Sequence, residues 1–206
     1  MSSALATAPR LPPILLYAAV AVIGLFECGV LWQALHPNVS ALYRGYYIDR
    51  TTTCLNQPGS GDYVLGNAVS FRSGNEKAVA ALQVCGWEGP VGDGLHAVGE
   101  SSRLHFALPS VTGDLTLKLQ LVAVDFSAPA GQLVEAVANG VSLGTAHVVP
   151  GTPQDFSFAV PASVVGDTGA LDLELKYPQA ILVSPDDPNT RKRSIKLTLA
   201  QITPAG

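Results

Sequence analysis

The sequence predicts an all-β fold, an antiparallel two-sheet β-sandwich of jelly-roll type, preceded by one N-terminal transmembrane α-helix. Three observations carry this expectation. Residues 14–35 form a run in which only Glu27 and Gln33 are plainly polar. From Asn38 onward the apolar residues recur with the strand period of 2 instead of the helical 3.6. Pro109, Pro161 and Pro178 each close an alternating run, as expected of a residue with no donor for a sheet ladder. With 48% hydrophobic and 14% charged residues, the composition excludes a disordered tail and a coiled coil. Twelve basic residues against sixteen acidic ones leave a net charge of −4, so no nucleic-acid partner is expected.

The first element is the apolar run. As a helix, residues 14–35 would reach about 33 Å, against a hydrocarbon core of about 30 Å. Pro12 and Pro13 suit its start, where amide hydrogens have no partner, and Pro37 ends it. Tyr17 and Trp32 fall near the two ends, where amphipathic rings favour headgroups. The run is longer than the apolar core of a cleaved signal peptide, and the one small-x-small site, Val39-Ser40-Ala41, lies too far downstream. A retained signal anchor is therefore expected. Glu27 lies near the middle of the span, where an ionisable group is costly unless neutralised or paired. Ala21, Gly24 and Cys28 line the adjoining face with small side chains. Either Glu27 is a tolerated, protonated residue, or this face meets a membrane-embedded protein partner.

Three cysteines occur: Cys28 within the run, Cys54 and Cys85 beyond it. The isolated outer pair predicts one disulfide in an oxidising compartment. That places the N-terminus in the cytoplasm and the rest in the periplasm, on a bacterial inner membrane. The expected organisation is a cytoplasmic arm over 1–13, the anchor over 14–36, a juxtamembrane aromatic segment and loop over 37–62, and the sandwich over 63–206. In the third segment Tyr43, Tyr46 and Tyr47, with Arg44, form either an interfacial belt or a first strand.

Strands are expected at 64–71, 78–85, 103–108, 115–126, 132–138, 141–149, 155–160, 170–176 and 194–202. The clearest sets Leu115, Leu117, Leu119 and Leu121 against Thr116, Lys118 and Gln120. Leu171, Leu173 and Leu175 alternate with Asp172, Glu174 and Lys176. Leu104, Phe106 and Leu108 alternate with Arg103 and His105, and Phe156, Phe158 and Val160 with Ser157 and Ala159. Ile195, Leu197 and Leu199 alternate with Lys196 and Thr198. Asn139-Gly140 between two runs predicts a tight hairpin, whose central residues both need positive φ. No stretch after residue 40 has a persuasive helical stripe. Strands wet on one face stack as two sheets, and about 165 residues suffice to bury a core without metal.

Family resemblance enters at the loop Gly86-Trp87-Glu88-Gly89-Pro90, with Gly92 and Gly99, followed by Arg103-Leu104-His105-Phe106-Ala107-Leu108-Pro109. Val137-Ala138-Asn139-Gly140-Val141-Ser142-Leu143-Gly144 and the closing Tyr177-Pro178-Gln179-Ala180, Ser184-Pro185, Arg191 and Arg193 continue it. Together these resemble a membrane-anchored periplasmic β-sandwich family, carbohydrate-binding-module-like, found in bacterial envelope and polysaccharide-assembly proteins. The loop 94–99 carries no second Trp, which departs from that pattern. The resemblance implies a sandwich and a polysaccharide context.

Candidate chemistry is sparse. Gly140-Val141-Ser142-Leu143-Gly144 matches a nucleophile pattern, but a turn precedes it and a strand follows, where an elbow needs a helix. His96, His105 and His147 lack ligand spacing, and Asp186-Asp187 before a proline reads as a turn. No metal or cofactor is expected, and no enzyme activity. Trp87, Glu88, Asp93 and His96 on one loop are the glycan-binding candidates, since an aromatic face with a few polar groups suits a sugar. The other reading of Trp87, and the one the sequence favours, is a cap on the core beside Cys85. The expected protein is a non-catalytic single-pass accessory subunit of an envelope assembly, with a polysaccharide to bind or guide. The alternative is a scaffold subunit of a respiratory, photosynthetic or transport complex.

Overall fold

The computed structural model describes residues 12–49, 54–55, 59–109, 113–124, 131–184, 186 and 190–206. Most of the expected arm 1–13 lies outside them, as do Asp187 and the last two residues of the strand expected at 115–126. The chain forms two compact units, Met1–Ala41 and Leu42–Gly206.

In the first unit, helix α1 (Pro13–Leu35) is apolar all round and buries none of its residues. It is long and apolar enough to cross a membrane. Pro13 opens it, and His36 closes it by donating its backbone N–H to the Trp32 carbonyl at 3.0 Å. Tyr17 and Trp32 are exposed, the latter stacked on His36. Ala21, Glu27 and Cys28 are exposed as well, and a Cβ added at Gly24 would meet nothing within 4 Å.

At the start of the second unit a helical turn, Ala41–Tyr43, whose first residue still counts to the first unit, runs into a π-helical turn, Arg44–Ile48. Tyr43, Tyr46 and Tyr47 therefore stand on helical backbone, which rules out a first strand there. Strand β1 (Ala68–Ser70) is shorter than expected, because Leu65 and Gly66 form a turn. The strand expected at 78–85 is mostly a helix. Glu76–Leu82 forms α2, burying Val79 and Leu82 one turn apart, and only Gln83–Cys85 continues as β2. The sequence EKAVAAL is rich in the best helix formers, and its apolar residues are a run, not an alternation.

The remaining strands are β3 (Leu95–His96), β4 (Ser101–Ala107), β5 (Leu115–Ala123), β6 (Gln132–Ala138), β7 (Val141–Val148) and β8 (Gln154–Val160). After a short helix α3 (Ala162–Val165) come β9 (Ala170–Lys176), β10 (Ile181–Leu182), β11 (Lys192–Arg193) and β12 (Ile195–Pro204). The twelve strands of the described residues make two five-stranded antiparallel sheets and a separate two-stranded one, β10-β11. The first runs β1-β12-β5-β8, with β3 also on β12; the second runs β2-β4-β9-β6-β7. The predicted sandwich is the fold of this unit.

One core cluster takes the inward residues of both sheets, among them Leu104 and Phe106 of β4, Leu117 and Leu119 of β5, and Leu171 and Leu173 of β9. The hairpin between β6 and β7 turns on Asn139 at φ 47° and Gly140 at φ 83°, as its sequence demands. In β12 the expected phase holds only to Leu197. A bulge between Leu197 and Leu199 resets the register, so Ala200 and Ile202 point inward while Leu199 is half-exposed. Buried Thr198 sits at the irregularity and donates its hydroxyl to Gln120 of β5, at 2.8 Å to the side chain. Cys54 and Cys85 form the expected disulfide, joining the segment after the π-helical turn to β2.

Candidate functional site

The outward residues of β4 and β9 are set opposite one another by the ladder: Arg103 faces Glu174 and His105 faces Asp172. Both pairs close. The Arg103 guanidinium donates to Glu174 Oε1 at 3.2 Å, and His105 Nδ1 lies 2.7 Å from Asp172 Oδ1. Asn139 holds the end of this ladder, accepting from the Asp172 backbone N–H at 2.7 Å. Segment 59–61 runs along the other side. Its Gly61 has φ +74°, and a Cβ there would lie 2.4 Å from the His105 ring, so only glycine lets the backbone pass so close. Between these walls lies a cleft of about 520 Å³ lined by Arg103, His105, Asp172, Glu174 and Val84.

Val84 also lines a second cleft, of about 290 Å³, whose other walls are Tyr46, Tyr47, Trp87, Leu55 and Cys85. The disulfide is thus part of its wall. Trp87 is half-buried against the core and donates its indole N–H to the Arg103 carbonyl at 2.9 Å, tying the second cleft to the first. The Tyr46 and Tyr47 rings meet edge to face with centroids 4.7 Å apart, and Tyr43 packs on Tyr47 at 4.6 Å. Arg191 fixes this aromatic segment. Its guanidinium lies 4.4 Å from the Tyr46 ring centre and donates to the Tyr46 carbonyl at 2.6 Å. Arg191 also borders a third cleft, of about 390 Å³, with Glu88, Ser184, Thr190 and Arg193. The first two clefts share Val84, and Arg191 of the third touches Tyr46 of the second; each is about the size or close to the size of a small-ligand pocket.

The four loop candidates are not one patch. Trp87 pairs with Ala97, and the Glu88 N–H donates to the His96 carbonyl at 2.9 Å, which folds the loop back on itself. Trp87 then turns to the core and the second cleft, and Glu88 pairs with Arg193 in the third. Asp93 and His96 line none of the three. Asp93 accepts from Lys196 at 2.7 Å and lies 3.0 Å from His96. Lys196 first, then His96, holds the Asp93 carboxyl down to about 2. The three histidines considered as ligands do not converge: His96 is on β3 of the first sheet, His105 and His147 on β4 and β7 of the second. Among the described residues no three His, Cys, Asp or Glu side chains come together as a metal site would need. Ser142 of the G-x-S-x-G run lies in β7 and donates to Glu135 at 2.7 Å.

Arg103, Asp172 and Glu174 are not among the residues the sequence singles out, and His105 reads there only as an outward residue. Opposite charges at the outward positions of two strands suit ladder neighbours, but which strands pair is not written in either strand. Tyr46 and Tyr47, read from sequence as an interfacial belt or a first strand, line the second cleft.

No model of a known protein family matches the chain, and no curated protein does. Solved structures do. The CBM36-1 domain of a multidomain xylanase from the hindgut metagenome of Trinervitermes trinervoides is similar at 16% identity, over 68% of this chain and 98% of that one, with a TM-score of 0.40. A carbohydrate-binding module CBM36 in complex with calcium and xylotriose matches at 12% identity, over 70% and 96%, with a TM-score of 0.37. The C-terminal CBM6 of LamC from Zobellia galactanivorans matches at 15%, over 66% and 99%, with a TM-score of 0.36. The neighbours are carbohydrate-binding-module sandwiches. At these values the likeness says nothing of ligands, and what this chain binds has to be read from its own clefts.

Proposed function

We propose that the chain is a non-catalytic, membrane-anchored module whose periplasmic sandwich holds a glycan along the linked clefts, as an accessory component of an envelope assembly. One observation carries the reading: the Tyr46, Tyr47 and Trp87 wall adjoins the Arg103–Glu174 and His105–Asp172 pairs. A sugar ring offers an apolar C–H face and a rim of hydroxyls. Aromatic faces receive the first, and fixed charged groups with donors and acceptors to spare receive the second. The length and all-round apolarity of α1 support the anchor, and the Cys54–Cys85 disulfide supports an oxidising compartment. The place of Ser142 in a strand supports the absence of a nucleophile elbow.

The test is affinity electrophoresis of the full chain in detergent through gels cast with a panel of neutral and acidic polysaccharides. Retention by at least one polymer is expected, and Tyr47→Ala should cut it about tenfold while leaving the melting temperature in place, since Tyr47 is half-exposed. If the wild type is retained by none of them, the glycan reading falls. The second reading, a scaffold subunit without glycan ligand, draws on α1, where Glu27 lies beside Ala21, Gly24 and Cys28 on a helix with no covered face. In that case Gly24→Leu releases a co-purifying membrane protein by blocking close helix approach.

A further inference from the structure

We infer that the bound glycan is an acidic one, a polymer with uronic-acid units, whose carboxylate is received between Arg191 and Arg193 in the third cleft. The inference rests on the glycan reading above and names its ligand class. Arg193 donates Nη2 to Glu88, while its Nη1 is buried and has no hydrogen-bond partner among the described residues. A buried guanidinium nitrogen in that condition is costly, and a carboxylate answers it best, because the planar fork of arginine matches two carboxylate oxygens. Arg191 stands on the same wall, already oriented by its stacking on Tyr46 and its bond to the Tyr46 carbonyl. An anion therefore meets a guanidinium that does not have to be ordered first. The hydroxyls of Ser184 and Thr190 complete the rim.

Among the described residues, the charged groups lining this cleft are Arg191, Arg193 and Glu88. The carboxylate, Glu88, is exposed over about half of its side chain (53%) and is tied only to Arg193 among the described contacts. It holds the position that a ligand carboxylate takes, and it can swing into solvent when one arrives. The aromatic wall lies next door, Tyr46 being shared through its contact with Arg191. A uronic acid carries its carboxylate directly on the ring, so a ring against the aromatic wall has its charge within reach of the arginines. Neutral sugars offer that corner only hydroxyls, whose hydrogen bonds to a guanidinium are roughly half as strong.

The experiment compares oligogalacturonate with its fully methyl-esterified form, the same rings without the charge, by calorimetric titration of the full chain in detergent. The acid form should bind about tenfold more tightly, with the difference shrinking as salt is raised. Arg193→Gln and Arg191→Gln should each bring the acid form down to the affinity of the ester. Glu88→Gln should do the opposite, tightening the acid form several-fold by removing the internal competitor. It also serves as the check if Arg193→Gln does not fold. Equal affinity for both forms, or an acid preference that survives both arginine changes, overturns the inference. So does retention of neutral polymers alone, which leaves the glycan reading standing. Failure to retain any polysaccharide overturns that reading and this one with it.

Discussion

Two clusters on the sandwich contain nearly the same chemistry. On the first sheet, Asp93 meets Lys196 and His96; on the second, Glu174 meets Arg103 and Asp172 meets His105. In the first a single carboxylate meets both a cation and an imidazole, in the second two carboxylates divide them, at similar distances. They differ in their neighbourhood. The first lines none of the three clefts, whereas the second forms the floor of one that continues into the Tyr46, Tyr47 and Trp87 wall. Charge pairs on a sheet face are ordinary solvated surface, worth little to stability. They become candidates for binding where an aromatic wall and a concave space adjoin them, so the surroundings, not the charged residues, distinguish the two clusters.

The largest effect is expected at Trp87, which joins the wall of the second cleft to the core. Trp87→Ala removes packing against the cluster and the indole bond to the Arg103 carbonyl. A loss of about 3 kcal/mol is expected, the lower end for deleting a large aromatic because this one is half-buried. Denaturant unfolding measures it. Trp87→Phe, which keeps the ring but not the donor, should recover most of the stability and retain glycan. A stability change within error for Trp87→Ala would mean that the ring is only a platform.

Of comparable size is the disulfide, which ties the segment after the tyrosines to β2. Closing a loop between Cys54 and Cys85, 31 apart in sequence, stabilises by about 3–4 kcal/mol in the chain-entropy model. Cys54→Ser with Cys85→Ser should lower the melting temperature and weaken glycan retention together, because the tyrosine wall loses a fastening. Arg191 on Tyr46 is another. Retention unchanged after loss of the disulfide would show that the remaining contacts of the segment hold the wall without it.

The two clusters were unequally legible in the sequence. Alternation along β4, β5 and β9 is unbroken, so the face on which Arg103, His105, Asp172 and Glu174 stand follows from counting by two. That they meet each other depends on the β4–β9 register, a long-range pairing that no local pattern encodes. The bulge in β12 was invisible for a similar reason: Leu199 continues the apolar alternation, and only pairing with β5 decides that the phase shifts before it. Helix α2 is legible in composition but not in periodicity: its Ala-rich apolar run suits a buried strand by pattern and a helix by propensity, and the helix forms. The loop site was read as contiguous because its residues are close in sequence. In an extended segment neighbours point opposite ways, and Trp87 and Glu88 do so into different clefts.

Smaller effects separate the two clusters directly. Glu174→Ala and Lys196→Ala should each change stability by no more than about 1 kcal/mol, as exposed or half-exposed ion pairs do. Only Glu174→Ala should weaken glycan retention. If both weaken it alike, the ligand also reaches the first sheet, and the cleft argument for the second is lost.

The smallest effect is a pH dependence confined to Asp93. Lys196 and His96 hold its carboxyl down to about 2, below the ordinary value of about 3.9 for an aspartate. The folded state therefore binds this proton less readily than the unfolded chain does. The resulting stabilisation is complete above the ordinary value and fades as pH falls through about 2. Asp93 is more than half exposed, so solvent screening keeps the contribution near the low end for surface pairs. Wild type should exceed Asp93→Asn in melting temperature by a small margin at about pH 4, and the margin should vanish toward pH 2. A margin that persists at pH 2 would locate the effect in packing rather than charge. At neutral pH the same variant should retain glycan as the wild type does, because neither the clefts nor their paired residues include Asp93. Lost retention would bring the loop's acidic residue back into the site.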